Sequence, residues 1–280
     1  MDKLFADFIR ERTFLRNLSP RTIGYYKQMY GFWKAVGAFE PLSKGTLQEA
    51  VIKFRERGVS AGAINTYIRG VNPFLKWLHL EQGYTDFSIP FLKAQRQVLR
   101  SLTDNEIKLL MSWKAKSVYD KRLKMLILTL LDTGLRIDEA LTLKRSNLDF
   151  DNLLLTVIGK GNKERIIPFS IELRKSLFKF IQTHDFNLVF CTRHGGKITY
   201  CNALRDFSKT VKELGIELKG SAFHALRRTF ATNFIKSGGN PFILQRILGH
   251  TSISQTQTYV KLVTEDLSKA HESVLNRLHQ

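Results

Sequence analysis

The apolar residues of this chain recur every three or four positions along most of its length, and in one stretch that period changes. Two β-type segments, Leu153–Ile158 and Glu164–Phe169, flank the turn-rich run Gly159-Lys160-Gly161-Asn162-Lys163. Such a pattern predicts a hairpin. A chain that is helical on both sides of one hairpin is mainly α with a small antiparallel β-sheet.

The first ninety residues read as a small helical bundle. Leu4, Phe5, Phe8 and Ile9 repeat with a helical period. Ser19-Pro20 is a helix start, an N-cap with proline in the first turn. Behind it, Ile23, Tyr26, Tyr30 and Trp33 share one face. A third helix is predicted over Leu47–Glu56. A fourth begins near Ser60 and carries Ile64, Tyr67, Ile68, Val71, Leu75, Trp77 and Leu78. Four helices with one apolar face each pack together. This assigns residues 1–92 to a first domain.

Between Gln82 and Arg100 the helical period fails, and Lys93, Arg96 and Arg100 give the stretch a basic character. Residues 93–100 are the expected linker, either a strap laid along a polyanion or a plain solvated connection. Residues 101–280 form the second domain. Thr103-Asp104-Asn105-Glu106 fits a capping box. A helix over Lys121–Asp132 should end at Gly134. Helices resume after the hairpin, with breaks at Gly195-Gly196, Gly238-Gly239 and Gly249. The last is an amphipathic helix over residues 264–279.

Charge narrows the partners. The 280 residues carry 44 Lys and Arg against 25 Asp and Glu, a net charge of +19. Residues 1–100 hold 16 basic and 8 acidic side chains, and the remainder holds 28 and 17, so both domains contribute. Nucleic acid is the expected partner, because a polyanion gains most from such a surface. The N-terminus lacks the apolar core of a signal peptide, and the longest apolar run, around Met125–Leu131, is far short of a membrane span. Cys191 and Cys201 lack metal-ligand spacing and read as reduced thiols of a cytoplasmic protein.

Cutting a phosphodiester without a metal needs cations around the transition-state oxygens, an in-line nucleophile and a proton donor for the leaving oxygen. Arginine suits the first task, since its planar fork gives two hydrogen bonds at a fixed charge. The chain offers such groups in order: Arg136 after a helix end, Lys160 in the hairpin turn, His224 and Arg227 one turn apart, His250 after Leu248-Gly249, and Tyr259. Taken singly, each has an ordinary structural explanation. Lys163 and Arg165 compete with Lys160 for the proton-donor role.

The set Arg … Lys … His-x-x-Arg … His … Tyr resembles the tyrosine recombinases, or phage integrase family. TGLRIDE, GKGNKERIIPF, FHALRRTFAT and ILGHTSISQTQTYVK each resemble a family box, in order and spacing, and SPRTIGYY and AINTYIRGVNPFLKW resemble the family's core-binding domain. The resemblance implies an N-terminal helical core-binding (SAM-like) bundle and an α+β catalytic domain. It implies that Arg136 and Arg227 hold the scissile phosphate, that Lys160 protonates the departing 5′-hydroxyl, and that His224 accepts or returns the tyrosine proton. His250 would hydrogen-bond a non-bridging oxygen, Glu139 would support the site, and Tyr259 would form a 3′-phosphotyrosyl bond. No cofactor and no metal are implied. Arg228 departs from the family, where many relatives have histidine, and puts the local packing in doubt.

The implied activity is site-specific recombination of double-stranded DNA by a homo-tetramer on two sites, with the C-terminal helix docked in its own subunit or in a neighbour. A partner recombinase or accessory protein stays open. No arm-binding domain is read ahead of the bundle, which favours Xer-type resolution or a small mobile-element recombinase over a large phage integrase. The competing readings are type IB topoisomerase-like relaxation and a catalytically silent DNA-binding accessory protein.

Overall fold

The computed structural model describes residues 1–94, 99–159, 164–218, 220–250, 252–253 and 256–259. The chain divides into two compact units, residues 1–97 and 98–280. No helix among the described residues is long and apolar enough to cross a membrane.

The first unit is built from α1 (Asp2–Phe14), α2 (Pro20–Ala35), α3 (Lys44–Glu56) and α4 (Ala61–Gln82). Its starts are written in local chemistry. The Ser19 hydroxyl accepts from the Thr22 amide with Pro20 in the first turn, and Ser60 caps α4 in the same way. The third helix begins three residues earlier than its apolar pattern suggests, because Ser43 and Thr46 form a reciprocal capping box. Phe8, Trp33, Ile64, Ile68, Phe74, Leu75 and Leu78 close the core. Tyr30 is buried there, stacked on Phe5 at 3.8 Å, while Tyr26 and Tyr67 pack on its rim.

Gly83, at φ 69°, ends α4, and the chain after it runs back along that helix. Asn72 donates to the Ile89 carbonyl at 2.9 Å and accepts from the Ile89 amide at 3.0 Å. Asn65, two turns earlier on α4, does the same to Leu92, at 2.9 and 2.7 Å. Each carboxamide imitates a neighbouring strand. The aperiodic stretch is therefore fastened to the first unit as far as Leu92.

The second unit contains α5 (Asp104–Ser112), α6 (Val118–Thr133), the short α7 (Ile137–Ala140), β1 (Leu148–Asp149), β2 (Leu154–Ile158), β3 (Glu164–Pro168), α8 (Ile171–Ile181), α9 (Tyr200–Glu213), α10 (Ala222–Lys236) and α11 (Pro241–Leu248). The predicted capping box of Thr103 and Glu106 opens α5. The hairpin is present, and β1 adds a third antiparallel strand in the order β1-β2-β3. Leu155 pairs with Ile167 and Val157 with Arg165 on the inner face. The first hairpin segment starts at Leu154 because Leu153 sits at φ 58°, outside the extended region.

Central in this unit, α6 lies against α8 on one side and α10 on another. Gly134 ends it for two reasons. Its φ of 64° is in the left-handed region, and a Cβ there would lie 2.3 Å from Phe230 of α10. That close approach sets α10, which carries His224 and Arg227, beside the loop that carries Arg136.

Candidate active site

The site is organised by the C-terminal end of α11. The last carbonyls of a helix have no partner inside it and form the negative end of its dipole. Here three consecutive ones each accept from an arginine of a different element. Ile247 takes the Arg165 Nε at 2.8 Å, Leu248 takes an Arg227 guanidinium nitrogen at 2.6 Å, and Gly249 takes one from Arg136 at 3.2 Å. His250 follows directly. Gly249 makes the turn at φ 63°, with the Arg165 side chain packed against the place a Cβ would occupy, 3.1 Å away.

Three arginines gathered this closely repel one another, and Glu139 offsets part of that repulsion. The Arg165 guanidinium meets both of its carboxylate oxygens, at 2.9 and 2.8 Å. Arg136 adds a guanidinium bond at 2.9 Å and its own backbone N–H at 2.8 Å. Burial alone would disfavour the carboxylate, but the bonds from Arg165 and Arg136 outweigh it and hold its pKa below the usual range. Glu139 is fixed in place as the third residue of α7, whose N-terminus favours an acid.

Arg227 is the buried member of the set, 4% exposed. Its second guanidinium nitrogen donates to the Gly134 carbonyl at 2.7 Å, so the glycine that ends α6 also anchors this arginine. Burial and the neighbouring Arg136 charge lower its pKa to about 10, which leaves it cationic at neutral pH. A guanidinium has five N–H donors. Bonds to Gly134 and Leu248 fix the plane of Arg227, and the remaining donors suit an anion.

His224 stands one turn before Arg227 on the exposed face of α10. Partial desolvation and the charges of Arg227, Arg228 and Arg136 pull its pKa down. His250 goes further, to about 4, through burial and then Arg227, Arg136 and Arg165. Its ring is therefore neutral at physiological pH. Nδ1 of His250 lies 2.9 Å from Oγ1 of the fully buried Thr256. One turn on, Tyr259 stacks on the His250 ring, with centroids 6.2 Å apart and planes at 21°. It also packs against the Ala231, Leu244 and Leu248 cluster. Burial raises the Tyr259 pKa, opposed by Arg227, Arg228 and Arg136.

The structure thus brings together Arg136, Glu139, His224, Arg227, His250 and Tyr259. Lys160 and Lys163, like residues 264–279, lie outside the described residues. Arg165, a competitor for the proton-donor role, has its Nε and both terminal nitrogens bonded to Ile247 and Glu139 and serves as a clamp. Sequence reasoning missed that role, and also missed Thr256. Strand parity could have found the first, since Arg165 shares the inner face of β3 with buried Ile167. Arg228 donates to the Arg100 carbonyl at 3.3 Å, and the next residue, Thr229, accepts from the Leu102 amide at 2.8 Å. The residue that departs from the family pattern thus fastens the chain where it enters this unit.

Residues 100–265 match the model of the phage integrase family. Tyrosine recombinase XerD of Oceanobacillus iheyensis is 27% identical, with 98% of each chain covered. Tyrosine recombinase XerA of Saccharolobus solfataricus is 32% identical over 78% of this chain and 69% of its own length. Among solved structures, the Tn1549 transposon integrase in complex with transposon right end DNA has a similar fold, with a TM-score of 0.82 at 22% identity over 98% of both chains. A lambda integrase dimer bound to a core site gives 0.76 at 17% identity, over 92% of this chain and 94% of its own. A family match spanning the whole arginine cluster and Tyr259 leaves one assignment: the chain belongs to the phage integrase family and is a tyrosine recombinase.

Proposed function

We propose that this recombinase binds double-stranded DNA and cuts it through Tyr259, within a site-specific exchange of Xer or mobile-element type. The observation that carries the proposal is the placement of Tyr259 against His250 at the helix end where Arg136 and Arg227 donate to adjacent carbonyls.

In this reading the Tyr259 hydroxyl attacks the scissile phosphorus. A 3′-phosphotyrosyl bond forms and the bond to the 5′-oxygen breaks. The tyrosine proton passes to His224, which its lowered pKa keeps neutral and able to accept. Lys160 gives a proton to the departing 5′-oxygen, which leaves as a free 5′-hydroxyl. Arg136 and Arg227, pre-oriented by their carbonyl partners, stabilise the added charge on the non-bridging oxygens, and neutral His250 donates a hydrogen bond to one of them. The phosphotyrosyl ester retains the energy of the diester, so a second 5′-hydroxyl reverses the steps and rejoins the strand without ATP. Four protomers on two sites carry out the exchange in pairs.

The +19 charge supports the DNA partner. The test is a duplex nicked beside the cleavage site, which traps the covalent adduct. Wild-type chain should become linked to DNA and Tyr259→Phe should not. No adduct from the wild type, or equal adduct from both, overturns the proposal. A tetrameric DNA complex joining two sites supports recombination, and relaxation of supercoils by a monomer with no such complex refutes it.

A further inference from the structure

We infer that Thr256 is a positioning residue whose hydroxyl fixes the tautomer of His250, making Nε2 the donor nitrogen that faces the phosphate. The inference rests on the proposed cleavage chemistry and adds a residue to it.

A histidine can donate to a non-bridging oxygen in two ways. As imidazolium it donates from both nitrogens. As neutral imidazole it donates from one only, and the other nitrogen decides which. The first way is closed at neutral pH, because the ring is half-buried among Arg136, Arg165 and Arg227 and its pKa falls to about 4. The second needs a partner at Nδ1. Thr256 Oγ1 is there at 2.9 Å, with no solvent exposure. It is the hydrogen-bond partner of the His250 side chain among the described residues.

A threonine hydroxyl can donate or accept, so the bond permits either tautomer in isolation. The field around the ring breaks the tie. A phosphate held by Arg136 and Arg227 favours Nε2–H facing it, since the other tautomer would aim a lone pair at an anion. The Thr256 hydroxyl then turns its proton to Nδ1, and that ring nitrogen is satisfied. Without the hydroxyl, a buried Nδ1 is left bare in this tautomer, and the ring must flip or exchange its proton to find a partner.

Thr256 is also three residues before Tyr259 on one helical turn, so the same bond joins that turn to His250. Two substitutions separate the roles. Thr256→Val keeps the volume and loses the hydroxyl, whereas Thr256→Ser keeps the hydroxyl and loses the methyl group. Single-turnover adduct formation on the nicked duplex should slow about 10- to 100-fold in Thr256→Val, by part of the effect of losing one transition-state donor. Thr256→Ser should stay within about threefold of wild type. DNA affinity should be unchanged in both.

The second readout does not use activity. Imidazole 15N chemical shifts of the full-length Tyr259→Phe chain bound to the nicked duplex should assign the His250 proton to Nε2 with Nδ1 as acceptor. Thr256→Val in that Tyr259→Phe background should shift toward the mixed tautomer. Equal slowing by Val and Ser, or unchanged 15N shifts in Thr256→Val, overturns the inference. A wild-type chain that forms no adduct while the 15N shifts behave as described refutes the cleavage proposal and leaves the tautomer assignment standing.

Discussion

Arg165 grips Glu139 through both carboxylate oxygens, at 2.9 and 2.8 Å, with 12% and 8% of the two side chains exposed. Arg136, 35% exposed, shares the same carboxylate. One arginine is consumed by the structure so that another can be aimed outward. The third bond of Arg165, to Ile247, ties β3 to α11, and the Arg136 bond to Gly249 ties the α6–α7 loop to the same helix end. Glu139 is therefore the keystone of three elements.

Glu139→Gln should destabilise the protein by about 2–4 kcal/mol, because it leaves buried arginine charge without its counter-charge. It should also cut adduct formation more than DNA affinity, since Arg136 loses its orientation while the net positive charge rises. The stability loss has a defined pH window. The folded pKa of Glu139 lies below its ordinary value of 4.5, so its ionised form contributes stability above that value. That contribution disappears as pH falls through the folded pKa. Urea titrations of wild type and Glu139→Gln should thus converge in acid and differ most near neutrality.

Arg227→Lys tests whether charge alone suffices. Lysine supplies a cation but not a planar fork, so it cannot hold the Gly134 and Leu248 carbonyls in the geometry of Arg227 and also present donors to a phosphate. Adduct formation should fall by about 100-fold or more, as expected when a transition-state donor is lost. Binding to intact duplex, measured by mobility shift, should change by less than about threefold. An equal loss of binding would show that Arg227 works in recognition.

Much of this architecture was legible because it is local. Ser19-Pro20, the Thr103–Glu106 box and Gly134 each announce an element boundary within four residues, and each boundary is where it was expected. The site residues were legible only as an ordered set, through the family resemblance. What could not be read was long-range. Arg165 looked like a spare cation because its partners, Glu139 and Ile247, are 26 and 82 positions away. The order of residues 84–92 could not be read from their aperiodic sequence, because their hydrogen bonds go to side chains on a helix that already appeared complete. Strand β1, two residues long, offers no period to detect.

Gly134→Ala should be among the most damaging single methyl additions in the second unit. It forces a non-glycine residue to φ 64° and drives a Cβ to 2.3 Å from the Phe230 ring. The expected cost is about 2 kcal/mol or more. Adding Phe230→Leu should recover only part of it, because the smaller side chain relieves the clash but not the backbone. Thermal denaturation of the single and double variants separates the two contributions.

His250 should make the protein less stable in mild acid. Its ordinary pKa of 6.5 falls to about 4 in the folded chain. Between those values the unfolded chain binds a proton that the folded one refuses, so stability declines as pH drops from about 6.5 to about 4. His250→Gln removes that dependence. The gap between the two proteins in urea midpoint should therefore shift against wild type across this window and stay constant above pH 7.

Asn65 and Asn72 make the last prediction. Their amides hold the backbone of Leu92 and Ile89 with two hydrogen bonds each, and little else in sequence marks residues 84–92 for order. Aspartate at either position would keep the acceptor but lose the donor to the carbonyl, leaving one bond of two. Asn72→Asp should therefore free the segment around Ile89 while α4 stays folded, since asparagine and aspartate differ in helix propensity by only a few tenths of a kcal/mol. Limited proteolysis should then cut between Tyr84 and Leu92 faster than in wild type, with far-ultraviolet circular dichroism unchanged. Cutting at the wild-type rate would mean that the apolar contacts of Phe87, Ile89 and Leu92 with the first core hold the segment without the amides.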